Sequence, residues 1–141
     1  MLARRKGFTL IEIVIVLAIA ALIMVIVFLA VQGAQRSRRD TQTKNDVNRI
    51  IALGENFASA NNGNYPVSAT EVSSFQTDYV DKEFGANKYK IVYATGTGAA
   101  GTVNIQDQGT CSSGAIVAGT NRGLAAATTL EVGKYCQTTA Q

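Results

Sequence analysis

Glu12 is the residue whose position most strongly suggests a function. It is the single charged residue in an apolar run over residues 8–31, and Arg4, Arg5 and Lys6 precede that run. A carboxylate within a membrane-length helix costs at least ~2.5 kcal/mol on insertion scales, so such a residue is by default a functional candidate. The question that the sequence raises is which group Glu12 binds.

The other reactive side chains give little support for catalysis or metal binding. The chain has no histidine, so the commonest general base near neutral pH and any Ser-His or Cys-His arrangement are absent. Asp78, Asp81 and Glu83 could offer oxygen ligands to calcium, but their spacing matches no known calcium-binding loop. A solvated acidic loop is the simpler interpretation. The segment Gly96-Thr97-Gly98 lacks the lysine and helix start of a phosphate-binding loop. We expect no enzyme activity, no cofactor and no metal.

The apolar run is long enough to cross a membrane. No charged residue lies between Glu12 and Arg36, and at ~1.5 Å per residue this length matches the ~30 Å hydrocarbon core of a bilayer. A secretory signal has an apolar region of about 7–15 residues followed by a small-residue cleavage site, whereas Ala18, Ala20 and Ala21 lie in the middle of this run. From hydropathy alone, a plain signal anchor with Glu12 near the membrane interface remains an alternative.

The residues at the start of the run resemble a known family. The string Lys6-Gly7-Phe8-Thr9-Leu10-Ile11-Glu12 is similar to the class III signal sequence of type IV pilins and pilin-like proteins. This resemblance implies that a prepilin peptidase cleaves between Gly7 and Phe8 and methylates the new amine of Phe8. It further implies that a membrane platform and cytoplasmic ATPases assemble copies of the chain into a helical filament. In that filament Glu12 would set the register by pairing with the Phe8 amine of a neighbouring copy.

The basic character of the chain belongs to its leader. Of 13 basic side chains, the resemblance assigns Arg4, Arg5 and Lys6 to the leader, residues 1–7, and the 10 that remain are balanced by 10 acidic ones. Net charge therefore gives no argument for sequence-specific nucleic-acid binding.

The orientation in the membrane follows from the resemblance. Three basic residues precede the apolar run and four follow it up to Lys44, so charge counting alone slightly favours a cytoplasmic C-terminal part. The polar composition beyond Tyr65 and the family's cytoplasmic leader favour the opposite orientation. We expect a single-pass inner-membrane protein with its N-terminus in the cytoplasm, which becomes extracellular after assembly into a pilus.

A single long helix is predicted over about residues 8–61. Apolar residues recur at helical spacing in its second half, namely Val47, Ile50, Ile51, Gly54, Phe57 and Ala58. The segment Asn61-Asn62-Gly63 provides a helix-ending signal, and Pro66 prevents continuation. The stripe is too short for the sustained heptads of the alternative interpretation, a coiled coil. We expect the helix to be apolar all round in its first half and amphipathic in its second.

The remaining residues predict a β-rich head. Alternation over residues 88–93 and 102–106 is typical of half-buried strands, and the glycines between them predict a hairpin loop. Further short strands are expected over residues 115–118, 124–130 and 135–137. Residues 69–75 should form a short helix followed by a loop. An antiparallel sheet of these strands should pack on the apolar stripe of the long helix.

The fold class is therefore α+β and type IV pilin-like, with a long N-terminal helix packed against a small antiparallel sheet. The expected segments are a leader at 1–7, a transmembrane and polymerisation half at 8–31, an amphipathic half at 32–62 and a head at 63–141. Two short strings in the head support the resemblance. They are Asn62-Gly63-Asn64-Tyr65-Pro66, similar to a turn of pilin-like proteins, and Thr129-Leu130-Glu131-Val132-Gly133-Lys134-Tyr135-Cys136, similar to a closing hairpin of some pilins.

Cys111 and Cys136 are the only cysteines. In a cytosolic chain two such residues are usually reduced, whereas the resemblance to exported pilins, some of which close a C-terminal loop in this way, implies a disulfide. A bridge that closes about 26 residues contributes ~3.5 kcal/mol in the loop-entropy model. Zinc binding lacks support because there is neither a histidine nor a third cysteine.

The membrane half departs from the pattern of many type IV pilins, which carry a glycine and a proline there. Residues 8–32 contain neither; Gly33 is the first glycine of that helix and Pro66 the only proline. Because proline removes a helix hydrogen bond and clashes with the preceding turn, its absence predicts a more continuous stem, or melting confined to the region of Gly33.

The sequence thus predicts a structural subunit of a type IV pilus that serves adhesion, motility or DNA uptake. A pseudopilin of a type II secretion or competence system is the alternative within the same superfamily. A solitary signal-anchored binding domain, neither cleaved nor polymerised, is the alternative from a different class. The basic residues Arg36, Arg38, Arg39, Lys44 and Arg49 could contact DNA or lipid headgroups, although a solvated helix face is the simpler interpretation.

Overall fold

The structure is a computed structural model that describes residues 7–120 and 122–139. The chain divides into two compact units, of which one ends at Ser37 and the other begins at Arg38. Helix α1, Leu10–Ala60, contributes to both units, and the other described helices and strands belong to the second.

Helix α1 is continuous over Leu10–Ala60, a length of 51 residues, and is slightly shorter than predicted at both ends. It passes through Gly33 without a break, because no proline interrupts its hydrogen-bond ladder. At its C-terminus the amide of Gly63 donates to the carbonyl of Ala58 at 2.7 Å. Asn62 and Gly63 have φ values of +56° and +83°, a conformation that glycine and asparagine tolerate best, so the helix ends where the sequence predicts.

In the second unit, α1 buries the predicted apolar stripe, which consists of Val47, Ile50, Ile51, Gly54, Phe57 and Ala58. These residues form one core with side chains from the helical segment that follows and from the sheet, including Phe75 and Ile105. Phe57 lies edge-on to Phe75 and to Tyr79, with ring centroids 5.7 Å apart in both pairs. Such pairs add ~0.5–1.5 kcal/mol beyond the area that they bury. The amphipathic interpretation of this half of α1 is confirmed.

The main sheet has four strands in the order β1-β2-β5-β6. Their bounds are Lys90–Tyr93 for β1, Thr102–Asp107 for β2, Leu124–Thr129 for β5 and Lys134–Thr138 for β6. The pairs β2–β5 and β5–β6 are antiparallel, and the second forms the predicted closing hairpin. β1 runs parallel to β2, with Lys90 opposite Thr102. The sheet is therefore mixed rather than wholly antiparallel, and the hairpin predicted between these two strands is wrong.

Residues 94–101 instead return the chain to the beginning of β2. Isolated bridges join this connection to Ile116 and to Thr128, so other strands hold its backbone in place. A Cβ atom on Gly98 would overlap the backbone of Thr102. Gly98, one of the glycines that predicted a hairpin, is thus required for a close backbone approach along a parallel connection.

A two-stranded antiparallel sheet covers part of the main sheet. It consists of β3, Gly109–Ser112, which the sequence did not predict, and β4, Ala115–Ala118. The buried strand β5 contributes to two clusters, since Ala126 lies in the core beneath α1 whereas Ala125 and Ala127 pack with Ile116 of β4. Alanine is small enough to be buried on both faces of a strand. Cys111 of β3 and Cys136 of β6 form a disulfide with a Cα–Cα distance of 5.7 Å.

Residues 69–84 are helical throughout, so the loop expected after residue 75 is wrong. Helix α2, Ala69–Phe75, continues through a π-helical turn, Gln76–Val80, into helix α3, Asp81–Phe84. The side-chain amide of Gln76 donates to the Tyr89 carbonyl at 2.6 Å and accepts from the Ile91 amide at 2.8 Å. These two bonds satisfy backbone groups beside β1 that a neighbouring strand would otherwise bind. They also fix the position of Gln76, which therefore lies in a helical segment and not in a loop.

Two consecutive side chains of α1 hold the turn between β5 and β6. Asp40 accepts the backbone amides of Glu131 at 2.8 Å and of Val132 at 3.2 Å. Arg39 pairs with the Glu131 carboxylate at 2.5 Å. Exposed ion pairs contribute at most ~1 kcal/mol, so the two hydrogen bonds to Asp40 determine the position of this turn more than the pair does.

Tyrosine hydroxyls donate to carboxylates at three places in the second unit: Tyr65 to Glu55, Tyr89 to Asp46 and Tyr93 to Asp107. Burial of the phenol, followed by its hydrogen bond to Asp107, raises the pKa of Tyr93 to about 12. Burial and the bond to Asp46 likewise raise the pKa of Tyr89. The folded protein therefore holds these phenolic protons more tightly than the unfolded chain does.

We expect Gly54→Leu to lower the free energy of unfolding by about 1–3 kcal/mol, the usual cost of overpacking a core. A Cβ atom at position 54 would already overlap the side chain of Leu124, which is fully buried. Urea denaturation of the purified protein in detergent, followed by near-ultraviolet circular dichroism, measures the change. Gly33→Leu is the matched control because a Cβ atom there meets nothing within 4 Å. Equal stability of the two variants would contradict the packing described here.

We expect the stability of the second unit to fall as the pH rises from about 10 to about 12. Because the pKa of Tyr93 is higher in the folded protein, its contribution is fully present below the ordinary phenol pKa and is lost as the pH approaches 12. Urea midpoints at several pH values measure this loss for wild type and Tyr93→Phe. The variant should show a smaller pH dependence, and an identical slope in both proteins would refute the assignment.

Candidate functional site: the N-terminal apolar helix

The described residues Gly7, Phe8 and Thr9 precede α1 and are not helical. The first helical residue is Leu10, so the peptide bond between Gly7 and Phe8 lies outside the helix. The expected cleavage site is thus in non-helical backbone, separated from the first helical residue by Phe8 and Thr9.

Thr9 and Glu12 cap the N-terminus of α1 through reciprocal hydrogen bonds. One carboxylate oxygen of Glu12, Oε2, accepts the Thr9 amide at 2.9 Å and the Thr9 hydroxyl at 2.7 Å. In return the Glu12 amide donates to the Thr9 hydroxyl at 3.4 Å. This is the arrangement of a capping box, which satisfies backbone donors that a helix leaves free at its start.

The second carboxylate oxygen of Glu12, Oε1, has no hydrogen bond to any described residue. Its negative charge is also favourably placed in the first turn of a helix, where the dipole is positive. The carboxylate can therefore bind a further positive group without giving up its bonds to Thr9.

Every large apolar side chain of residues 8–31 is exposed in the structure. The exposed fraction ranges from 46% at Val31 to 83% at Phe8. The set is Phe8, Leu10, Ile11, Ile13, Val14, Ile15, Val16, Leu17, Ile19, Leu22, Ile23, Met24, Val25, Ile26, Val27, Phe28, Leu29 and Val31. An apolar surface of this extent is found where a membrane or another protein covers it. By length and composition α1 is able to cross a membrane.

Charge defines both ends of this surface. Within the described part of the first unit, Gly7–Ser37, the charged residues are Glu12 and Arg36. They are 24 positions apart in one helix, which corresponds to ~36 Å along its axis. The uncharged length between them therefore matches a bilayer core with a short margin at each side.

The structure places the remaining predicted site residues elsewhere. Arg4, Arg5 and Lys6 lie outside the described residues, and Cys111 and Cys136 form their disulfide in the second unit. The acidic residues considered for calcium each have a separate partner: Asp78 pairs with Lys82, Asp81 accepts from Gln76, and Glu83 pairs with Arg49. Within the described residues no group of three or more acidic or cysteine side chains is arranged to bind a metal ion.

The role of Thr9 was missed by the sequence analysis, although a signal for it exists. Thr9-Leu10-Ile11-Glu12 has the spacing of a capping box directly before an apolar run. The same spacing recurs in Ser68-Ala69-Thr70-Glu71, where Ser68 caps α2 and Glu71 bonds back to it. Reading both strings together would have predicted the first residue of each helix.

Comparison with known protein families matches residues 2–28 to the prokaryotic N-terminal methylation motif. Comparison with curated proteins and with solved structures gives no match to the chain. The motif includes Gly7, Phe8 and Glu12 and most of the exposed apolar surface.

The chain therefore carries the class III signal sequence of type IV pilin-like proteins, followed by a long apolar helix and a small mixed sheet that fit a pilin-like fold. The motif indicates a pilin or pseudopilin-like precursor, a structural protein rather than an enzyme. It implies processing by a prepilin peptidase and polymerisation into a filament, and the apolar helix is consistent with membrane anchoring before assembly.

Proposed function

We propose that the protein is a structural subunit of a type IV pilus. The observation that carries this proposal is the exposed apolar surface of residues 8–31, interrupted by one carboxylate near its start. A bilayer can cover this surface in the precursor, and packed helices of other copies can cover it in a filament. The same residues thus serve two apolar environments in succession.

Processing creates the partner for Glu12 in this proposal. Cleavage between Gly7 and Phe8 frees the amine of Phe8, which then carries a positive charge four positions from Glu12. Both charges would be buried in a bundle of helices, and burial costs several kcal/mol per ion unless the ions are paired. Pairing Glu12 of one copy with the Phe8 amine of another removes that cost at one axial offset only. The pair selects the register, while the surrounding apolar side chains supply most of the attraction.

The structure supports this role through the uncommitted oxygen of Glu12. Oε2 is occupied by Thr9, which fixes the side chain close to the helix start, and Oε1 has no described partner. An ammonium group can bind at Oε1 while the cap remains intact. Methylation of the Phe8 amine leaves its positive charge in place, so it is compatible with the same pair.

The location and partners follow from the same proposal. Before assembly the protein is a single-pass inner-membrane protein with its leader in the cytoplasm, where the peptidase and methylase act on Gly7 and Phe8. A membrane platform with cytoplasmic ATPases then transfers it into a filament outside the cell. Its principal partner is a second copy of the same chain.

Two other functions are distinguished by simple observations. A pseudopilin of a type II secretion or competence system would share the processing and the Glu12 pair, but its filaments would be short and few. A solitary signal-anchored binding domain would retain residues 1–7 and would not depend on Glu12. The methylation motif over residues 2–28 favours a processed subunit over a permanent anchor, because an anchor does not require it.

We expect the protein in mechanically sheared surface material to begin at Phe8 and to carry one additional methyl group. Intact-mass spectrometry of that material tests cleavage, methylation and filament formation together, because shearing releases filaments and leaves membrane proteins behind. A full-length mass confined to the membrane fraction would identify a signal anchor and exclude the proposed function.

We expect Glu12→Ala to remain in the membrane and to lose nearly all surface filaments. The substitution leaves the Phe8 amine without its partner inside the helix bundle, while the apolar surface that holds the chain in the membrane is unchanged. Membrane fractionation and electron microscopy of the cells measure the two effects. Asp78→Asn is the matched control because it removes one exposed carboxylate of the second unit. Normal filaments in Glu12→Ala would refute the register mechanism.

Glu12→Gln separates capping from charge pairing. Glutamine also completes a capping box, so the helix start should be retained in this variant, whereas the charge pair is lost. We expect few filaments, as in Glu12→Ala. Filaments at the wild-type level would show that capping alone accounts for the requirement at this position.

A further inference from the structure

Each acidic side chain of the protein has at least one partner within the molecule. There are 10 acidic side chains, and each one accepts a hydrogen bond or forms an ion pair with a described residue. They are Glu12, Asp40, Asp46, Glu55, Glu71, Asp78, Asp81, Glu83, Asp107 and Glu131. Apart from Glu12, whose Oε1 has no described partner, these side chains are therefore engaged within the second unit.

Only some of the basic side chains have partners among the described residues. Arg39, Arg49, Lys82 and Lys88 form ion pairs, and Lys44 lies over the ring of Tyr135 at 5.9 Å. Arg36 is exposed, and no ion pair or hydrogen bond joins its guanidinium to a described residue. No carboxylate occurs in the sequence between Glu12 and Asp40. Arg36 and the exposed Arg38 therefore lack a described carboxylate partner, unlike Arg39, and Arg36 is the nearer of the two to the apolar surface.

We propose that Arg36 binds the phosphate of an anionic phospholipid, in the leaflet opposite the one that faces Phe8. The inference rests on the proposed function insofar as residues 8–31 cross a membrane before assembly. Arg36 lies five positions beyond Val31, where the apolar surface ends, and ~36 Å along the helix from Glu12. This is the depth of the headgroup region, because the hydrocarbon core measures ~30 Å and the headgroups extend it to ~40–45 Å.

Lipid phosphate fits Arg36 better than a carboxylate of a second copy does. Glu12, whose Oε1 has no described partner, lies ~36 Å away along the helix and so at the other leaflet, and the other nine acidic side chains already have partners in the second unit. Lipid phosphates, by contrast, are abundant at the depth of Arg36 and have no other fixed partner. The planar guanidinium donates two parallel hydrogen bonds to phosphate oxygens. An arginine at an anionic membrane surface increases lipid affinity by about fivefold.

The test measures the lipid selectivity of the full chain reconstituted in mixed phosphatidylglycerol and phosphatidylcholine vesicles. Electron spin resonance of spin-labelled lipids gives the association constant of phosphatidylglycerol relative to phosphatidylcholine at the protein surface. We expect Arg36→Gln to lower this ratio. Because the ratio is an average over all lipid positions around the chain, the roughly fivefold preference at the single Arg36 position gives a fall smaller than fivefold. Wild type and variant are compared in the same processed or unprocessed form, so that charges of the leader cancel.

Two further variants identify the cause of any change. Arg36→Lys retains the charge, so it should keep most of the selectivity. Lys134→Gln is the matched control, because it removes one exposed positive charge from the second unit and should leave the ratio unchanged. Raising the salt concentration should reduce the wild-type ratio toward that of Arg36→Gln, because salt screens exposed charges.

An unchanged ratio in Arg36→Gln would overturn the inference, and so would an equal loss in Lys134→Gln. Neither result would affect the proposed function, because both proteins would still be incorporated in the vesicles. Failure of wild type to enter the membrane at all would instead overturn the membrane-spanning role, and with it the inference.

Discussion

The free-energy cost of an exposed apolar helix is the constraint on which the rest of this molecule depends. A surface that runs over residues 8–31 with no buried side chain cannot remain in water. A bilayer and a bundle of like helices both remove it from water, and neither distinguishes one axial position from another, because the surface is apolar all round. A single carboxylate near one end makes one axial position differ from the others, which apolar packing does not. In the proposed filament, Glu12 therefore specifies where helices stop sliding, and the other side chains specify only that they associate.

The same helix must satisfy a different requirement in the second unit. From Val47 to Ala58 its apolar residues occupy one stripe, and the core on that stripe needs a sheet that can approach closely. Strand β5 meets this need with consecutive alanines buried on both faces, and Gly54 of α1 allows Leu124 to lie directly against the helix backbone. The small residues at this contact thus let the helix and the sheet lie close together, so that a small head can still bury the side chains between them. The disulfide and the hydrogen bonds of Asp40 then restrain the strands and the turn at the periphery.

Most of the elements that were predicted correctly follow from short-range sequence patterns. The long helix, its buried stripe, α2 and five of the six strands follow from periodicity and turn residues that act within a few positions. The failures concern long-range relations. Glycines between β1 and β2 indicated a turn, yet the bridges to Ile116 and Thr128 that make the connection parallel come from residues distant in sequence. The helical continuation after Phe75 depends on bonds from Gln76 to β1 in the same way. At the candidate site, Glu12 was identified because a charge in an apolar run is conspicuous, whereas Thr9 was overlooked although its spacing carried the information.

Thr9 and Glu12 together explain why a carboxylate, rather than a neutral acceptor, is suited to this position. The capping bonds use only Oε2, and a glutamine could form equivalent bonds. Capping alone therefore does not require a charge, and it does not offset the cost of placing one beside a long apolar surface. The negative charge of Glu12 has a purpose if a positive group binds at Oε1. The proposed cleavage before Phe8 generates such a group, the amine of Phe8, on every copy of the chain. Each copy then carries one acceptor and one donor at the same end of its helix. In the proposed filament, identical chains satisfy these charges by binding to one another in a repeating register.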